Sequence, residues 1–73
     1  MNSDPWYEVR STIENCERFV TDFDGSADER ERLRVILTNA SGMEGQLRSA
    51  GTPMASELAS RCSALQSKIR SLL

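Results

Sequence analysis

Glu14 with Glu17, and Asp22 with Asp24, are the carboxylate pairs of this chain, the residue type that general acid–base catalysis requires. Such work needs a cleft and shifted proton affinities. These positions lie off the apolar face of their segment, on the expected solvent side. Serines are numerous, but there is no histidine to activate one, and no glycine-rich phosphate loop follows a strand. The two cysteines, Cys16 and Cys62, cannot close a zinc site by themselves. The reading is a non-enzyme with no cofactor, no metal and no catalytic residue.

The densest charge cluster is Glu29-Arg30-Glu31-Arg32-Leu33-Arg34. Nucleic-acid binding would gather the arginines on one face without interleaved acids, and would add an aromatic residue to stack a base. Alternation with Glu29 and Glu31 instead reads as a solvated helix start. The formal net charge of −2 offers no general attraction to nucleic acid or an anionic membrane. Charge is unevenly spread: residues 1–31 hold nine acids and three bases, and residues 32–73 two acids and six bases. The first helix is therefore expected to attract the other two, each exposed pair contributing only about 0–1 kcal/mol.

Three elements must position these groups. Trp6, Val9, Ile13, Cys16, Val20 and Phe23 recur at spacings of three and four. So do Leu33, Ile36, Ala40, Met43, Leu47 and Ala50, and then Met54, Leu58, Cys62, Leu65, Ile69 and Leu72. Each set places one apolar stripe along a helix. Asp4-Pro5 supplies a cap and a first-turn proline, and Gly25 a left-handed stop. Ser26-Ala27-Asp28-Glu29 matches a capping box in which Glu29 reaches back to the cap. Gly51-Thr52-Pro53 closes the second helix and opens the third.

Helices are thus expected at about 4–24, 27–50 and 53–72 within one domain. Short connections make consecutive helices antiparallel neighbours, an all-α, up-down-up three-helix bundle. Gly42 and Gly45 leave three readings of the second helix: close approach to a neighbour, a break near Ser41-Gly42, or a soft but continuous helix. Apolar spacing in phase from Ala40 through Leu47 favours the last.

Both cysteines fall within stripes and read as buried, reduced thiols acting as small apolar residues. Parallel first and third helices would also bring the two sulfurs to similar heights, leaving an accidental disulfide open. Met1-Asn2-Ser3-Asp4-Pro5 lacks the basic start and apolar run of a signal peptide. No stretch approaches the length of a membrane span, and a cytosolic setting is expected. Tyr7, Phe19 and Val35 are large apolar residues off the stripes, and are the candidate partner-binding residues. Phe19 is the best placed for the edge of a peptide-docking groove, or it widens the core face.

Asp4-Pro5-Trp6-Tyr7-x-Val9 resembles the Asp-Pro-aromatic-aromatic start of the N-terminal, Habc-like domain of the syntaxin 6 and Tlg-type Qc-SNARE family. Glu57-Leu58-x-x-Arg61 is similar to the motif that opens the third helix there. The middle helix lacks the family's tryptophan-containing stretch and longer acidic end, and the second loop is shorter. The resemblance implies a regulatory domain of a tail-anchored SNARE on the cytosolic face of trans-Golgi and endosomal membranes. It implies recruitment of a GARP-like tethering complex through an amphipathic helical segment. Cognate SNAREs and the membrane would be engaged by a C-terminal SNARE helix and anchor outside this sequence. Arg61 would pair with an acid on a neighbouring helix. The rival reading is a generic helical subunit whose stripes are seams for a partner chain.

Overall fold

The computed structural model describes residues 6–73 and is all-helical, with no strand among them. α1 spans Tyr7–Thr21, α2 Ala27–Ala50 and α3 Pro53–Leu72. The Asp4-Pro5 start signal lies outside the described residues. Trp6 occupies the N-cap position of α1 and makes no side-chain capping bond.

α1 ends three residues earlier than the sequence suggests, with Asp22 as its C-cap. The next segment has its own bonding programme. The Asp24 carboxylate accepts from the Ser26 N–H at 2.8 Å, the local side-chain-to-backbone bond by which aspartate competes with helix. Phe23 packs against the core from this non-helical position. Gly25 is left-handed, at φ 84°, but it shapes the loop and does not terminate the helix.

The start of α2 follows the expected box only in part. Ser26 Oγ accepts from the Glu29 N–H at 3.2 Å. The Glu29 carboxylate, however, accepts from the Asp24 N–H at 3.0 Å and not from the cap residue. Asp24 has already taken the Ser26 N–H, so Glu29 serves the next free donor along the chain.

α2 is continuous through Gly42 and Gly45, and a Cβ built on either would meet nothing within 4 Å. Neither glycine therefore serves a close helix approach. At Gly51 the backbone does turn left-handed, at φ 70°, and ends α2. Thr52 then caps α3, its Oγ1 accepting from the Ala55 N–H at 3.1 Å, with Pro53 in the first turn.

The core forms two clusters stacked along the bundle. One joins Ile13 of α1, Leu47 of α2 and Ala55, Leu58, Ala59 and Cys62 of α3. The other joins Val20, Leu33, Ala40, Leu65 and Ile69. The start of α1 therefore meets the end of α2 and the start of α3, the pattern of up-down-up packing. Met43 packs against both clusters.

α3 is the central element, packed extensively on α2, while α1 leans more lightly on both, and least on α2. That position widens the buried face of α3 to include Ala55, Ala59 and Gln66. The outermost stripe positions, Ala50 and Met54, are exposed, because they flank the tight turn and face solvent at the bundle end.

Candidate protein-docking surface

Polar links between helices flank the apolar clusters. Arg61 of α3 donates from Nη2 to Glu17 Oε1 at 2.6 Å and from Nε to Oε2 at 3.4 Å. This two-pronged pair joins α1 to α3, as the Arg61 motif leads one to expect. Its acid partner is one that periodicity assigns to the solvent face. Hydrogen bonding to Glu17 raises the proton affinity of Arg61 further.

The second link is buried Gln66, whose Nε2 donates to Glu44 Oε1 at 2.7 Å and to the Cys62 carbonyl at 3.2 Å. Glu44 Oε2 accepts from Arg48 Nη2 at 2.7 Å, so the chain Arg48–Glu44–Gln66 spans α2 and α3. No buried side-chain nitrogen or oxygen among the described residues lacks a partner. Sequence reasoning missed Gln66, though its spacing from Cys62 and Ile69 (four and three residues) marks it as core-facing.

The shifted carboxylates are those of Asp24 and Glu44. Hydrogen bonds from the Ser26 backbone and hydroxyl hold Asp24 below the usual carboxylate range. Bonds from Arg48 and then Gln66 do the same for Glu44. Both shifts favour the charged form, the opposite of what a general acid at neutral pH needs. Burial pushes the Cys16 and Cys62 thiols up, as buried apolar surroundings do. Among the described residues no group of three or more histidine, cysteine or acidic side chains could hold a metal ion. No helix of the described residues is long and apolar enough to cross a membrane.

The three candidate docking residues do not form one patch. Phe19 is half-buried, packs against the cluster around Val20 and Leu65, and lies 5.9 Å below the Arg32 guanidinium. Val35 follows Arg32 by three residues and so stands beside it on α2. It is 54% exposed. Phe19 and Arg32 meet across the α1/α2 seam, the most lightly packed in the bundle, whereas Val35 lies roughly 160° round α2 from buried Leu33 and faces solvent. Half-buried Ile36 and Met43 lie on the core-facing side of α2, packed against the clusters. Tyr7 is exposed, but it precedes Phe19 by more than three turns, roughly 18 Å along the helix, and belongs to the other end.

Two open depressions complete the surface. One, of about 210 Å³, lies between α1 and α3 and is lined by Glu17, Thr21, Ala64, Leu65 and Lys68. The other, of about 390 Å³, surrounds the α2–α3 turn at Leu47, Arg48 and Gly51 to Pro53. No family model, no curated protein and no solved structure matches this chain.

Proposed function

We propose that the domain is a protein-interaction module whose α1/α2 seam receives an amphipathic helix. The observation that carries this reading is the seam itself: two helices in light contact, with Phe19 of α1 beneath Arg32 of α2. A helix laid there would cover the outer side of Phe19 and reach past Arg32 to exposed Val35 one turn on, the spaced-anchor geometry of helix-in-groove binding. The resemblance in Asp4-Pro5-Trp6-Tyr7 and Glu57-Leu58-x-x-Arg61 supports a narrower form of the proposal. In it the domain is the N-terminal part of a trans-Golgi or endosomal SNARE, and the arriving helix belongs to a GARP-like tether.

Binding to purified GARP complex, measured by interferometry, tests both levels. Val35→Glu is the informative variant, because an exposed position tolerates charge without loss of fold. Wild type is expected to bind and Val35→Glu to bind at least tenfold more weakly with an unchanged melt. Absence of wild-type binding would remove the tether reading, and equal binding by the variant would remove the seam. Light scattering addresses the generic-subunit alternative: the module is expected to be monomeric, and an obligate dimer would favour that rival.

A further inference from the structure

The only two cysteines of the chain lie near the junction of the two core clusters, Cys62 in one and Cys16 packed on the other. Along α1 and α3, Arg10 meets Met54 and Glu17 meets Arg61, the same sequence offset of 44 in each case. A constant offset means that the two helices run parallel in fixed register. Cys16 precedes Glu17 and Cys62 follows Arg61, so the ion pair holds the chain neighbours of both thiols. At that offset Cys16 is level with residue 60, and Cys62 lies about 3 Å further along the axis.

The two cysteines belong to different clusters, at the level where those clusters adjoin. Cys62 is the last α3 residue of the Ile13 cluster, and Cys16 the first α1 residue packed against the Val20 cluster. Met43 of α2 bridges the two clusters at this level. Cys16 is also among the groups that raise the proton affinity of Cys62, as nearby thiols do.

We propose that Cys16 and Cys62 are a poised cross-linking pair, which a small-molecule disulfide such as oxidised glutathione converts to an intramolecular disulfide stapling α1 to α3. Half-buried Cys16 is the entry point, and Cys62, with no exposed surface, is the resolving thiol. The Cys16 thiolate attacks one glutathione sulfur, the glutathione S–S bond breaks, and one glutathione leaves as its thiolate. The Cys62 thiolate then attacks the Cys16 sulfur of the mixed disulfide and expels the second glutathione. Two protein thiols are oxidised, one glutathione disulfide is reduced to two thiols, and the protons pass to solvent. The light packing of α1 gives Cys62 its access, and the staple then removes that freedom.

The test equilibrates wild-type protein with oxidised and reduced glutathione in native buffer and, in parallel, in guanidinium. Intact mass and thiol titration after acid quench give the fraction cross-linked. The expected product is a monomer lighter by two hydrogens, with no titratable thiol and a melting temperature raised by on the order of 10 °C, reversed by reductant. A fold that positions the pair makes the cross-linking equilibrium constant at least tenfold larger in native buffer than in guanidinium. A native constant equal to or below that in denaturant would overturn the proposal. So would accumulation of only the Cys16 mixed disulfide or a cross-linked dimer. Cys16→Ala and Cys62→Ala should each abolish the lighter product, and its persistence in either would also overturn the assignment.

Discussion

Asp24 organises the α1–α2 turn from a single carboxylate: it accepts from Ser26, while its own N–H is taken by Glu29. Because those bonds favour the charged form, its proton affinity in the folded chain is lower than in the unfolded one. Such a group contributes stability above the unfolded value, and that contribution is lost as pH falls through the folded value. Glu44, held down by Arg48 and Gln66, acts in the same direction. The melting temperature is therefore expected to fall as pH drops from neutral to below the ordinary aspartate value of 3.8. Asp24→Asn keeps an accepting oxygen but cannot titrate, so its melting curve against pH should be flatter in the acid range. Parallel thermal melts of the two proteins over that range provide the check.

At the scale of elements, α2 carries an avoidable weakness. Gly42 and Gly45 sit in ordinary helical backbone with open space where a Cβ would go, whereas Gly51 is left-handed. Gly42→Ala and Gly45→Ala are each expected to stabilise the fold by about 0.5–1 kcal/mol. Gly51→Ala should destabilise it by about 1–2 kcal/mol, because a side chain opposes the left-handed conformation. Urea denaturation of the three variants reads both signs, and destabilisation by Gly42→Ala would mean that α2 bends there in solution. The same reasoning explains why α1 is the shortest helix: Asp24 and Phe23 offer the chain better bonds and packing in the loop than in another helical turn.

The whole molecule depends on two stacked clusters with no surplus, since a domain of this size buries only a small core. Ile13 anchors one cluster and Leu65 the other, at 0% and 3% exposure. Truncating either to alanine should cost about 2–5 kcal/mol, enough to unfold a domain of ordinary marginal stability. Circular dichroism melts should therefore show loss of all three helices together in both variants. Survival of a cooperative melt in only one would show that the clusters fold as separate units. Phe19 belongs to this scale as well as to the proposed docking surface. It packs on the Val20 cluster, so its truncation loosens the bundle, and Val35 is the cleaner probe of binding.

The sequence by itself determined the number of helices, their two turns and most of the buried face. Apolar spacing, Ser26, Gly51 and Thr52-Pro53 act within a few residues of themselves, and local signals survive without knowledge of neighbours. The helix-to-helix register, the partner of Arg61 and the burial of Gln66 were decided only by tertiary structure. Glu17 and Gln66 are polar, and nothing local says whether a polar side chain at the margin of a stripe meets water or another helix. The candidate docking residues Tyr7, Phe19 and Val35 were legible one at a time, as large apolar residues off the stripes. Only packing showed that Phe19 lies under Arg32 where α1 meets α2, because that depends on how α1 rests on α2.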